Sequence, residues 1–121
     1  IQGGAQVLQS LTGGGNRYFR PPGGRFHQGV LAQLQGLGGS AVHWSVNGAD
    51  VGLKPEAISD RIEHLLRKIQ AGDIELLHNA PVGTLEMIPR LVQGLHQKGL
   101  RCVTVETLLS ADATASSLVT R

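Results

Sequence analysis

Short apolar runs rich in valine and isoleucine alternate along this chain with longer segments whose apolar residues recur at helical spacing, and glycine or proline marks each boundary. The pattern predicts a helix through AQVLQSLTG (5–13), a short strand at RYFR (17–20), a helix over QGVLAQLQGLG (28–38) and a strand at AVHWSV (41–46). After the loop NGADVGLK it predicts a helix from Pro55 to Gln70, a strand at DIELLH (73–78) and a helix from about Thr84 to Lys98. A strand at RCVTV (101–105) and a short helix at ETLLS (106–110) follow.

The Pro55 helix carries the clearest stripe: Ile58, Ile62, Leu65, Leu66 and Ile69 share one face, and proline suits a first helical position. The next helix repeats the stripe with Leu85, Ile88, Leu91, Val92 and Leu95 and is closed by Gly99, with Pro89 placed near its first turns or kinking it. The last residues, 111–121, are small and polar and read as a frayed, flexible tail after a domain over 1–110. Alternating strand and helix imply an α/β fold of about four parallel strands joined by right-handed crossovers. So few parallel strands leave two edges to be masked or paired. Function in such folds gathers on loops at the C-terminal strand ends.

A chain of 121 residues is the size of one ordinary domain. Eleven basic and nine acidic side chains leave a net charge of +2 without a basic block, and aromatics are scarce, which disfavours nucleic acid as a partner. Cys102 is the single cysteine, so neither an internal disulfide nor a multi-cysteine metal site is available. No apolar run reaches the roughly 18 to 20 residues of a membrane span, and IQGGAQVLQS lacks the sections of a signal peptide. The first residue is isoleucine, as expected of a processed product or a piece of something longer.

Three motifs lie at predicted C-terminal strand ends: FRPPGG, WSVNGADV and DIELLHN. Their order and spacing resemble the polysaccharide deacetylase family, the NodB homology domain of carbohydrate esterase family 4. FRPPGG is similar to its Arg-Pro-Pro-Tyr-Gly segment, WSVNGADV to Trp-Ser-Val-Asp-x-x-Asp-Trp, and DIELLHN to its Leu-x-His segment. The stretch TLEMIPRLVQGLHQKGLRCVTVETLLS is similar to its closing helix, strand and helix. The family's Thr-Phe-Asp-Asp-Gly segment and His-x-x-x-His pair are absent: His27, His43, His64, His78 and His96 include no two residues four apart. The resemblance therefore implies the C-terminal half of a distorted (β/α) barrel, that is, a partial (β/α)7 barrel.

The reaction so implied is metal-dependent hydrolysis of N-acetyl groups on an amino-sugar polymer, peptidoglycan or chitin-like. A divalent metal such as zinc would be held by ligands outside this chain, and a carboxylate of the first half would act as base. By resemblance, His78 is the general acid and Asp50 its partner, since a carboxylate favours the imidazolium. Arg20 pairs with the base carboxylate, and the Gly23 amide, where the family usually has tyrosine, donates to the oxyanion. Leu76 lines the acetyl-methyl pocket, with Pro22 and Val51 beside the substrate; Val51 stands where tryptophan is usual. A half alone is expected to be inactive. Its partner would be the missing N-terminal half of the domain or a second copy of the chain, and the family setting implies export to the cell wall or beyond.

Taken without the family, Arg20 reads as a structural ion-pair arginine, Asp50 as a turn cap, and His78 equally as a structural histidine or a site residue. His27, His64 and His96 read as solvent-facing, and His43 and Trp44 as core. TGGGN (12–16) follows a helix and precedes a strand, the reverse of a phosphate loop, and reads as a connector. The competing function is a non-catalytic carbohydrate-binding or structural module on the same scaffold. An independent nucleotide-binding α/β domain is disfavoured by the position of those glycines.

Overall fold

The computed structural model describes residues 1–15, 17–111 and 119–120. They fall into two compact units, one containing Ile1–His43 and the strand Val119–Thr120, the other beginning at Trp44.

The first unit opens with helix α1 (Gln2–Thr12), which buries none of its residues. Strand β1 (Tyr18–Phe19), helix α2 (Gln28–Gly36) and strand β2 (Ser40–Val42) then form a crossover unit, with β1 and β2 parallel and Tyr18 opposite Ser40. His27 caps α2: its Nδ1 accepts from the Val30 amide at 3.4 Å, satisfying one of the free N–H groups of the first turn. Leu34 on α2 and Ala41 and Val42 on β2 are buried. Strand β5 (Val119–Thr120) joins the other edge of β2 antiparallel, which corrects the expectation of parallel pairing throughout.

In the second unit, β3 (Val46–Asn47) and β4 (Glu75–Leu76) pair in parallel, with Val46 opposite Glu75 and Asn47 opposite Leu76. A 3-10 turn at Pro55–Ala57 leads into α3 (Ile58–Lys68), followed after β4 by α4 (Val82–Gln97) and α5 (Val105–Ala111). The core joins Val46 to Ile58, Ile62, Leu65 and Ile69 from the α3 segment and to Met87, Leu91 and Leu95 from α4. Full burial of a side chain of this size contributes about 1.5–3 kcal/mol, so the α3–α4 contact dominates what holds this unit together. The Lys98 ammonium reinforces it, donating to the carbonyls of Leu66 and Ile69 at the C-terminal end of α3.

Several predicted elements differ in the structure. AVHWSV divides into β2 and β3, which belong to different sheets. The break falls where the Ser45 hydroxyl donates to Asp73 Oδ1 at 2.7 Å and the Ser45 amide donates to the Ile74 carbonyl at 3.0 Å, turning this backbone toward the segment before β4. Trp44, read as core, is half-buried at that break. RCVTV forms no strand: residues 101–104 are exposed and unpaired in any sheet, and a β-branched run becomes a strand only where a neighbour takes up its backbone groups. On α4 the buried face is Thr84, Met87, Leu91 and Leu95, while Leu85 and Ile88 of the predicted stripe are exposed, because α3 covers the adjacent face. Among the described residues the five short strands make two small sheets and no closed barrel. The tail expected over 111–121 lies outside the described residues except for Ala111, in α5, and β5.

Candidate functional site

Parallel pairing of β3 and β4 sends both strands out at the same end of their sheet, so the residues that follow Asn47 and Leu76 leave side by side. The Gly48 amide extends the ladder by donating to the Leu76 carbonyl at 3.0 Å. Glycine is required there: a Cβ would collide with Leu77 and lie 2.9 Å from that same carbonyl oxygen. The Asn47 side chain then accepts from the Ala49 amide at 2.9 Å, and Ala49 takes a left-handed conformation with φ 48. This tight reversal drives Asp50 inward, where it is 0 % exposed.

There the Asp50 carboxylate receives three donors. Its Oδ2 accepts from the His78 amide at 2.7 Å and from the Thr84 hydroxyl at 2.5 Å, and its Oδ1 meets Nδ1 of the His78 ring at 2.8 Å. Burial pushes the carboxyl pKa up, but the hydrogen bonds from Thr84 and from the His78 ring and amide outweigh it and hold the group below the usual carboxylate range. An ionised carboxylate only accepts, so Nδ1 carries the hydrogen between the two groups. The second ring nitrogen, Nε2, is left for other partners, and the His78 side chain is 41 % exposed. The result is a buried, ionised anchor and a half-exposed imidazole oriented by it, an arrangement suited to proton transfer.

Thr84, buried in the first turn of α4, is a member of this site that sequence reasoning missed. Its signal was present: it heads the i, i+3, i+7 series Thr84, Met87, Leu91 on the buried helix face. Leu76 is buried on β4, and Val51, immediately after Asp50, is 65 % exposed. Arg20, Pro22 and Gly23 belong to the first unit. Arg20 follows β1 and is exposed, Pro21 is buried, and Pro22–Gly24 forms a 3-10 turn in which Gly23 has φ 63. A Cβ at Gly23 would have open space, its nearest neighbour lying 4.0 Å away; the backbone, not crowding, is what favours glycine there.

Among the described residues no three His, Cys, Asp or Glu side chains gather as a metal site. The dyad does not offer one either, since both Asp50 oxygens and the Nδ1 of His78 are already engaged.

No protein-family model matches the chain. It is 30% identical over 94 residues to a peptidoglycan-N-acetylglucosamine deacetylase of Bacillus cereus, across 75% of this chain and 44% of that protein. Its fold matches that of a family 4 carbohydrate esterase from Streptomyces lividans, solved in complex with acetate, with a TM-score of 0.76 and 30% identity, over 87% of this chain and 53% of that one. The chain belongs to the polysaccharide deacetylase family. A further carbohydrate esterase family 4 fold, a pseudoenzyme from Bacillus anthracis, matches with a TM-score of 0.82 at 23% identity, over 90% of this chain and 38% of that one. The chain thus spans about half the length of the deacetylases it resembles, as the motifs of a C-terminal half lead one to expect. In deacetylase terms, the second and third family motifs are the ones whose Asp50 and His78 meet.

Proposed function

We propose that this chain supplies the proton-donating side of a hydrolytic N-deacetylase site acting on an amino-sugar polymer, with peptidoglycan as the substrate its relatives favour. The observation that carries the reading is the hydrogen-bonded pair of buried Asp50 and half-exposed His78 at the C-terminal ends of two parallel strands. Hydrolysis of an N-acetyl group passes through a tetrahedral adduct, whose C–N bond breaks only as the nitrogen gains a proton. Protonated His78, its Nδ1–H directed at Asp50 Oδ1, gives up the Nε2 proton to that nitrogen. The amine leaves neutral, and the ring is left as the Nδ1–H tautomer. Leu76 accommodates the acetyl methyl in this reading, and Val51 borders the substrate. The roles of Arg20, Pro22 and Gly23 rest on the family pattern alone.

The described residues do not fit a divalent metal. By the family pattern, metal ligands and the base carboxylate belong to polypeptide outside this chain, and in this reading the chain alone is inactive. In this reading the protein is exported and acts at the cell wall or outside the cell. The test is acetate release from N-acetylated peptidoglycan by this chain and by a complete domain that contains it. The chain alone releases none; the complete domain does, and His78→Ala lowers its kcat by about 10²–10⁴-fold. Full activity of that variant overturns the assignment of the acid. Exposure of Val51 where the family has tryptophan favours a second reading, a non-catalytic carbohydrate-binding module. That reading predicts oligosaccharide binding by the complete domain without acetate release.

A further inference from the structure

A carboxylate held by a single hydrogen bond can swing about that contact, and most of its orientations do not present the second oxygen to a neighbouring ring. Without Thr84, and apart from the backbone of Asp50 itself, only the His78 amide would hold Oδ2, in this loose way. Thr84 adds a second donor to the same oxygen from a different element, the first turn of α4. Two donors on Oδ2, approaching from the end of β4 and from α4, define its position and thereby direct Oδ1 toward the ring. Thr84 is itself well held: it is 1 % exposed, its amide donates to the Pro81 carbonyl at 3.1 Å, and its β-branched side chain has few rotamers.

We propose that Thr84 is a positioning residue, whose buried hydroxyl fixes the Asp50 carboxylate so that His78 keeps its hydrogen on Nδ1 and presents Nε2 outward. The geometry stands by itself; its consequence, that the acid is aimed before substrate arrives, rests on the deacetylase reading. Without a partner on Nδ1 a neutral imidazole favours the Nε2–H form, so the tautomer reports directly on whether Asp50 is held in place.

The experiment is long-range ¹H–¹⁵N correlation NMR of the His78 ring in the 121-residue chain, with the pH raised until the ring ¹⁵N shifts no longer change. Wild-type protein and Thr84→Ser hold the Nδ1–H tautomer. Thr84→Val, which exchanges the hydroxyl for a methyl of the same shape, shows a several-fold rise in the Nε2–H fraction. A folded Thr84→Val protein with an unchanged tautomer overturns the proposal, leaving Thr84 merely a tie between α4 and the loop that follows β3. Should that variant fail to fold, wild-type protein still decides: the Thr84 hydroxyl proton exchanges slowly with water and shows a coupling across the hydrogen bond to the Asp50 carboxyl carbon. A freely exchanging hydroxyl overturns the idea. In a complete domain, Thr84→Val lowers kcat at unchanged KM and Thr84→Ser retains it. The two readings fail separately: full activity of His78→Ala removes the acid but leaves the tautomer result intact.

Discussion

Both oxygens of Glu75 are shielded from water and have no hydrogen-bond partner, although the residue lies within β4, between Ile74 and Leu76. Burial raises its pKa to about 7; Lys68 draws it back in part, while the Asp73 and Asp50 carboxylates push it further up. The folded state therefore prefers the neutral acid. Its stability is fully present below the ordinary value of 4.5 and is lost as pH rises through about 7. Allowing for solvent screening, the loss amounts to about 2 kcal/mol. Glu75→Gln keeps the shape and removes the titration. Urea unfolding at pH 4.5 and 8.5 should show wild-type protein losing more stability across that interval than the variant does, and identical losses would count against a buried neutral Glu75. Asp50 acts in the opposite sense: its lowered pKa contributes stability above the ordinary carboxylate value that is lost as pH falls through the folded one. At this scale Asp50 and His78 were legible because each lies in a family motif, and their contact follows from parallel pairing of the strands that precede them. Glu75 was not, and the spacing of Thr84 to Met87 and Leu91 showed a shared helix face but not its carboxylate partner, since both residues acquire their roles only once their neighbours are known.

Helix α4 runs unbroken from Val82 to Gln97 with Pro89 as its eighth residue, well beyond the first turn that tolerates proline. Proline has no N–H to return to the carbonyl of Leu85 four residues earlier; that stretch is exposed, so water can serve in its place. Replacing an exposed interior proline by the best helix former should stabilise the protein. Some of the gain is offset because proline also restricts the unfolded chain. Pro89→Ala is expected to raise stability by about 1–3 kcal/mol, seen as a higher urea midpoint at unchanged slope, and an unchanged or lower midpoint would show that the proline ring packs favourably. The stripe on this helix illustrates what periodicity leaves open. Its apolar residues occupy two neighbouring stripes, and α3 buries the one that includes Met87 while Leu85 and Ile88 stay exposed. On α3, where only one stripe is apolar, Ile58, Ile62, Leu65 and Ile69 were read correctly. RCVTV failed for a related reason, because strand propensity describes a surface ready to pair and does not supply the partner.

Across the whole chain, apolar burial is uneven. Helices α3 and α4 share a continuous core, whereas α1 carries Val7, Leu8 and Leu11 at 57%, 46% and 77% exposure and buries no residue. An isolated helix shorter than about 12–15 residues is marginal in water, and each interior glycine costs a further ~1 kcal/mol relative to alanine. With 11 residues and glycines at positions 3 and 4, α1 has no intrinsic means of remaining formed. Amide exchange in this chain should therefore be fast throughout α1 and slowest in α3 and α4, where opening requires the core to come apart. The deacetylases it resembles are about twice as long, so under the proposed function a complete domain holds more polypeptide with which to cover such a face. The same amides should then become protected when exchange is measured on that domain. Slow exchange of α1 in the isolated chain would require its apolar residues to be covered without any further polypeptide, and the reading of this chain as part of a larger catalytic domain would lose that support.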